Sequence, residues 1–125
     1  MASNKSVKKM TATASFVQAT DASSGTGAKT IADTMSIPIG AVVTACITVP
    51  SVSSNSGDNN ETGTITVGGI SVSAALNQAA MAAGNVNTDT LGGVTTTNAN
   101  IGLTVGTTAF SAGSMDIIIE YYLLD

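Results

Sequence analysis

Two carboxylates near the C-terminus, Asp116 and Glu120, are the side chains that most suggest acid–base chemistry. Glycoside hydrolases use two carboxyl groups that lie about 5 to 9.5 Å apart. The alternating pattern around these two acids predicts a β-strand, on which residues four apart share a face at a separation of roughly 13 Å. That separation is too wide for the chemistry, so we expect solvated acids or acids in an interface.

A second acidic group, the run from Asp58 to Glu61, places four oxygen-bearing side chains in a row and suggests a calcium site. Calcium loops space their ligands at alternate positions around a turn glycine and add carboxylates that neutralise the ion. The run has neither feature. A solvated polar loop is the better interpretation, and we expect no metal and no cofactor.

Nucleophilic catalysis lacks its usual partners in this chain. Serine and threonine are abundant, but a hydroxyl nucleophile needs a base, and the chain has no histidine and no arginine. Cys46 lies in an apolar stretch, where a buried small side chain is expected rather than a reactive thiol. The glycine pairs at 68–69 and 92–93 lack the spacing and the following lysine of a phosphate-binding loop. The sequence therefore predicts that the protein is not an enzyme.

Charge is distributed unevenly along the chain. All four lysines lie in the first 29 residues, which carry +3 with Asp21, whereas the remainder holds seven acids and no base. Residues 1–6 have no apolar pattern and are predicted to form a flexible basic arm. Lys5, Lys8 and Lys9 either solubilise the chain or dock on an acidic neighbour. The net charge of −4 and the absence of arginine disfavour nucleic acid as a partner.

Targeting signals and membrane spans are not evident in the sequence. The first ten residues contain no apolar core of a signal peptide. No run approaches the roughly 18 apolar residues that cross a bilayer. We therefore expect synthesis in a cytoplasm and no membrane partner. A single cysteine excludes an intrachain disulfide, and 125 residues suffice to bury a core without one.

The stretch from Ile101 to the C-terminus has the clearest β periodicity. One face of its second half is predicted to lie in the core and carries Met115, Ile117, Ile119, Tyr121 and Leu123. The opposite face is too apolar to meet water alone and is predicted to be a subunit interface. Its residues are Asp116, Ile118, Glu120, Tyr122 and Leu124. Ile101 to Val105 alternates as well, and the glycine-containing link between the halves predicts that they pair as a hairpin.

The segments upstream predict further strands. Alternation predicts strands near residues 7–17 and 29–37, and an apolar run predicts a central strand from Ala41 to Val49 that is covered on both faces and ended by Pro50. Ser51 to Thr62 is predicted to be a loop. The pair Gly68-Gly69 predicts a tight hairpin, because such turns need positive φ.

The alanine-rich segment from Ser73 to Ala83 is the one predicted helix, capped by Ser73 and closed by Gly84. Seven or eight short strands with one short helix predict an all-β fold, namely a two-layer antiparallel β-sandwich of jelly-roll-like type. Residues 7–125 are expected to form this sandwich as a single domain.

Several of these segments resemble small β-sandwich virion proteins of tailed bacteriophages. Those proteins share a Pro-x-Gly entry to an apolar strand, a TxTVGG-like hairpin, and a terminal Ala-Gly turn before a strand that ends in Glu-Tyr. The matching positions are Pro38 and Gly40, Gly68 and Gly69, Ala112 and Gly113, and Glu120 and Tyr121. The resemblance covers about Ile37 to Tyr122, and Phe110-Ser111 stands where the family more often has Leu-Thr. It implies a structural subunit of a virion.

The resemblance is greatest to capsid decoration (cement) proteins. It implies a protein on the outer surface of a phage head that binds the major capsid protein, stabilises the lattice and forms a homo-oligomer, with a trimer favoured. Lys5, Lys8 and Lys9 would then dock on acidic capsid surface. The alternative is a tail, fibre or head-fibre subunit that binds a host glycan through the loop from Ser51 to Thr62, although that loop lacks the aromatic platform typical of carbohydrate sites.

Overall fold

Residues 7–124 form eleven strands and one short helix. The computed structural model describes these residues, apart from the side chains of Ala99 and Leu124. The strands are β1 (Val7–Val17), β2 (Gly27–Thr30), β3 (Asp33–Thr34), β4 (Ser36–Ile37), β5 (Val42–Asn55), β6 (Thr62–Val67), β7 (Ile70–Ser71), β8 (Asn87–Asp89), β9 (Gly93–Val94), β10 (Ala99–Gly106) and β11 (Ala112–Leu124), and the helix is α1 (Gln18–Asp21).

The strands form two antiparallel sheets that pack as a sandwich. The large sheet has six strands in the order β3-β1-β11-β5-β8, with β9 also paired to β5. The small sheet has five strands in the order β2-β10-β6-β7, with β4 also paired to β10. This architecture confirms the predicted all-β, two-layer antiparallel sandwich with one short helix.

The core lies between the two sheets and follows the predicted alternation. On β11, Met115, Ile117, Ile119 and Tyr121 are buried, and on the neighbouring β1 the buried residues are Ala12, Ala14 and Phe16. Small residues on β1 stand beside large ones on β11, since Ala12 pairs with Ile119 and Ala14 with Ile117. The small sheet contributes Ile65, Val67, Ile101, Leu103 and Val105. The rings of Phe16 and Phe110 meet edge to face at 5.9 Å between centroids.

The predicted hairpin between the two halves of the C-terminal stretch is wrong. Strand β10 pairs with β2, β4 and β6 in the small sheet, whereas β11 pairs with β1 and β5 in the large sheet. The link between them crosses from one layer to the other, with Phe110 buried in the core and Ser111 N–H donating to Asn55 O at 2.7 Å. The apolar faces of β10 and β11 therefore pack against each other across the core. The alternating pattern of the two segments is the same for this packing as for a hairpin.

The predicted helix from Ser73 to Ala83 is also wrong, and the one helix is α1. Ser73 does not cap a helix, because its Oγ accepts a hydrogen bond of 2.9 Å from Ile65 N–H of β6. Leu76 forms a bridge with Gly63, and Asn77 Oδ1 accepts from Ala80 N–H in a turn. Contacts with β6 therefore outweigh the helix propensity of alanine.

Two strand boundaries differ from the predictions. Strand β5 continues through Pro50 to Asn55, because Pro50 lies at an irregularity in the pairing with β11 and its carbonyl still accepts from Gly84 N–H. The predicted strand at 29–37 is instead split into β2, β3 and β4, which alternate between the two sheets. Ile31 and Ile37 are buried, while Met35 is 51% exposed.

The hairpin at Gly68-Gly69 is confirmed. Thr66 pairs with Ser71 and Val67 with Ile70 around a two-residue turn. Both glycines have positive φ, 50° and 85°. A Cβ on Gly68 would lie 2.7 Å from Thr95 Cβ, so both the backbone and the packing require glycine here.

Candidate interaction surface

One face of the large sheet points into the core and the other points away from the small sheet. The strand register aligns the outward residues into rows that cross the sheet, and we call this set of residues the outer face. Its rows are, in order along the strands, Lys9–Tyr122–Val42–Val94, Thr11–Glu120, Thr13–Ile118–Ile47–Thr88 and Asp33–Ser15–Asp116–Val49.

The predicted interface residues of β11 lie on the outer face. Asp116 is exposed, and Ile118, Glu120 and Tyr122 are partly buried. The side chain of Leu124 lies outside the described residues. Their role as a subunit interface remains a prediction.

Residues of other strands extend this surface beyond β11. Ile47 and Val49 of β5 are partly buried and flank Ile118 and Asp116 on the outer face. Val94 is 53% exposed at the opposite end. The predicted burial of β5 on both sides is therefore only half right, because its outward residues remain accessible. The sequence pattern does not group these residues with β11, because the grouping depends on which strands are neighbours.

The end of the outer face that carries Asp33 and Asp116 is concave. A depression of about 330 Å³ lies there, lined by Thr13, Ala14, Ser15, Asp33, Asp116, Ile117 and Ile118. Ser15 stands between the two acids in the same row, and its Oγ donates a hydrogen bond of 3.0 Å to Asp116 Oδ1. Since neighbouring strands are about 4.8 Å apart, the two acidic residues lie roughly 10 Å from each other.

The opposite end of the outer face is basic. Lys8 and Lys9 are strand residues of β1, paired with Leu123 and Tyr122, and both are exposed. Lys9 lies on the outer face itself. Lys5 and the rest of the predicted flexible arm, residues 1–6, lie outside the described residues. Docking of these lysines on a capsid remains a prediction.

The acidic loop between β5 and β6 is an internal network of hydrogen bonds. Glu61 has no accessible surface and accepts hydrogen bonds of 2.7 Å from both Ser54 Oγ and Ser56 Oγ. Burial raises the pKa of Glu61, but these serine hydroxyls and further hydrogen bonds outweigh burial, and the net direction is down. Asp58 accepts from Asn60 N–H, Ser56 Oγ and Thr108 Oγ1, which lowers its pKa.

This network concerns the two functions that the sequence suggests for the loop, namely calcium binding and glycan binding. Within residues 7–124, no group of three or more histidine, cysteine or acidic side chains could hold a metal ion. Asn59 Oδ1 is also engaged, because it accepts a hydrogen bond of 3.0 Å from Gln78 Nε2. Several polar groups of the loop are thus already hydrogen-bonded within the subunit, and they are less free to bind sugar hydroxyls.

Cys46 is a core residue, as predicted. Its side chain is 1% exposed. Burial, with a smaller effect from the negative charge of Asp89, raises the pKa of the Cys46 thiol to about 12. A thiol in that state is a poor nucleophile, because the thiolate is the reactive form.

The small sheet presents a different outward surface. Thr62, Thr64 and Thr66 of β6 alternate with buried residues, and they pair with Gly106, Thr104 and Gly102 of β10. This face is built from short hydroxyl and glycine residues and is uncharged at these positions. Among the described residues, no helix is long and apolar enough to span a membrane.

No protein-family model and no curated protein sequence matches this chain. Among solved structures, its fold is similar to that of a chain in the acidic stable capsid structure of Helicobacter pylori bacteriophage KHP30, with a TM-score of 0.63 and 14% identity over 98% of this chain and 97% of that one. It is also similar to a chain in the capsid asymmetric unit of cyanophage Pam1, with a TM-score of 0.56 and 21% identity over 95% of this chain and 86% of that one. These likenesses show a shared fold.

Proposed function

We propose that this protein is a structural virion protein that decorates the outer surface of a phage head, binds the major capsid protein and stabilises the capsid lattice. The observation that carries the proposal is the fold, since nearly the whole chain matches chains found in two phage capsid structures. Because one fold can host several functions, the chemistry of the surface supplies the second argument.

The outer face of the large sheet supports an assembling protein. Ile118, Tyr122 and Ile47 place apolar area on a surface that also carries Asp116 and Glu120. Apolar patches rimmed by polar residues usually mark interaction sites. We assign this face to the contact between subunits of a homo-oligomer, with a trimer favoured, and the interface includes Leu124 by its position on β11.

The basic residues at the start of the chain supply a contact to the capsid in this proposal. Lys8 and Lys9 are exposed at one end of the large sheet, and Lys5 precedes them. A cluster of lysines attracts acidic surface in a salt-dependent way. The buried Cys46 and the internally bonded acidic loop fit a structural protein, and no catalytic role is proposed for any residue.

The rival is a tail, fibre or head-fibre subunit that binds a host glycan. The loop that would carry that function, 51–62, is partly strand. Its acids accept hydrogen bonds from Ser56, and its Asn59 accepts one from Gln78. It also contains no aromatic side chain on which a sugar ring could stack. The decoration role therefore has more support from the surface than the glycan-binding role.

Cryo-electron microscopy of the parent particle tests the proposal. We expect density of this sandwich on the outside of the head, in contact with the major capsid protein. A second test adds purified protein to particles that lack it and measures co-sedimentation and heat-induced loss of DNA. Density confined to the tail or fibres, or no binding to such particles, would contradict the decoration role.

A further inference from the structure

Most acids of residues 7–124 accept several hydrogen bonds that hold neighbouring segments together. Asp21 accepts hydrogen bonds from Val17 N–H and Ala32 N–H at 2.8 and 2.9 Å. Asp89 accepts from Ala74 N–H and Leu91 N–H at 2.7 and 2.8 Å. Asp58 and Glu61 hold the loop between β5 and β6, as described above. The remaining acids of residues 7–124 are Asp33, Asp116 and Glu120, and all of them lie on the outer face.

The lysines of residues 7–124 also fall into two groups, those that bond within the fold and those that do not. Lys29 Nζ donates a hydrogen bond of 2.7 Å to Ser24 O and so holds its own loop. Lys8 and Lys9 form no hydrogen bond or ion pair with any residue from 7 to 124. Lys9 therefore lies at one end of the outer face, with Glu120 one row away, and the pair Asp33 and Asp116 lies at the other end.

Lys9 cannot reach Asp33 or Asp116 of its own subunit. Lys9 precedes Ser15 by six residues on the same extended strand, a separation of about 20 Å. That distance exceeds the combined reach of a lysine and an aspartate side chain. A contact that brings the basic end of one outer face onto the acidic end of another would neutralise both.

We infer that Lys9 of one copy binds in the depression between Asp33 and Asp116 of a second copy, so that the outer faces join head to tail. The depression offers two carboxylates and the Ser15 hydroxyl, which together suit a lysine ammonium group. The apolar residues Ile118 and Ile47 lie beside it and would lose solvent contact in the same interface. The inference rests on the self-association proposed above and names the side chains responsible for it. It assigns Lys9 to the contact between copies and leaves Lys5 and Lys8 for the contact to the capsid.

Head-to-tail contacts have a consequence for assembly. Two outer faces packed antiparallel about a two-fold axis would make the Lys9 contact twice in one dimer. In a ring, each subunit instead keeps one basic end and one acidic end free until the ring closes. In a closed ring, the basic end and the acidic end of every copy are both neutralised. A trimer is one such ring. A contact in which identical rows face each other would instead place acids of two copies against one another.

Charge reversal tests this contact directly. Lys9→Glu and Asp116→Lys, each alone, should raise the dissociation constant of self-association about tenfold or more, because like charges would meet. The double variant Lys9→Glu/Asp116→Lys exchanges the two charges and should restore association to near the wild-type value. Thr64→Lys adds a lysine to the opposite, uncharged face and should have no effect. Analytical ultracentrifugation measures all four, and circular dichroism checks that each is folded.

A zero-length carbodiimide cross-linker gives an independent measurement on the unmodified protein. It joins amines to carboxylates in direct contact, and mass spectrometry then identifies the joined peptides. We expect Lys9 linked to Asp33 or Asp116, a product that the separation within one subunit rules out as intramolecular. Its absence from assembled protein, or a double variant as weak as either single variant, would overturn the inference.

The outcomes separate this inference from the proposed function. Wild-type protein that binds particles while it remains monomeric at every accessible concentration would leave the decoration role intact and exclude the contact. Protein that shows the cross-link and the charge-exchange rescue but binds no particle would support the contact and contradict the decoration role.

Discussion

Ser54 Oγ donates a hydrogen bond of 2.7 Å to Oε2 of Glu61, a carboxylate with no accessible surface. The second carboxylate oxygen accepts an equally short bond from Ser56 Oγ. A buried charge is stable only when its hydrogen-bonding capacity is met, and the two serines meet it here. The end of β5 is thereby tied to the start of β6, across the two sheets.

The pH dependence of folding should report this cluster. The folded-state pKa of Glu61 is lowered from its ordinary value of 4.5, so its contribution to stability is present above that value and is lost as pH falls through the folded pKa. Glu61→Gln should lower the free energy of unfolding by about 1 to 2 kcal/mol at pH 7. It should also make the free energy of unfolding less dependent on pH below about 4.5. Urea unfolding at several pH values measures both effects.

The matched control is Glu120→Gln, the same substitution on the outer face of β11. It should change the free energy of unfolding by less than about 0.5 kcal/mol at pH 7. Equal effects of the two substitutions across the pH range would show that Glu61 has no special role in stability.

Thr48 offers a stabilising substitution. Its side chain is 2% exposed and its hydroxyl has no hydrogen-bond partner among the described residues. Thr48→Val keeps the shape and removes the unsatisfied group, so it should raise the free energy of unfolding by about 1 kcal/mol. Thr44→Val is the control, because Thr44 Oγ1 donates to Glu120 O at 3.2 Å and the substitution removes that bond. Thermal unfolding that ranks the two variants in the opposite order would contradict this prediction.

Cys46 should react with a thiol reagent only after unfolding. The side chain is buried, and its pKa of about 12 leaves little thiolate at neutral pH. Cys46→Ala should cost on the order of 1 kcal/mol through a small cavity. Labelling by an aromatic disulfide, followed by absorbance in native buffer and in denaturant, measures the accessibility. Rapid labelling of native protein would mean that β5 opens locally.

The outer face should be the surface on which assembly depends. Ile118→Lys places a charge in the middle of that face and should abolish particle binding and self-association while the sandwich stays folded. Thr64→Lys introduces the same side chain on the small sheet and should leave both unchanged. Co-sedimentation with particles and light scattering measure the two properties. Normal binding by Ile118→Lys would assign the contact to another surface.

Local properties of the sequence determined much of the fold. The alternation of Met115, Ile117 and Ile119 predicted which side of β11 is buried, because successive strand residues point to opposite faces. The glycine pair at 68–69 predicted its own hairpin, because few other residues adopt positive φ. An all-β sandwich followed from such short-range signals repeated along the chain.

The tertiary structure decided which strands are neighbours. The alternation in β10 and β11 is the same whether they pair in one sheet or face each other across the core, and only contacts with β1, β5 and β6 select the second arrangement. The segment that starts at Ser73 likewise does not form the predicted helix, because it makes hydrogen bonds with β6 instead. Asp33, Ser15 and Asp116 became one row because β3, β1 and β11 are adjacent. Strand adjacency depends on contacts distant in sequence, so no local pattern contains it.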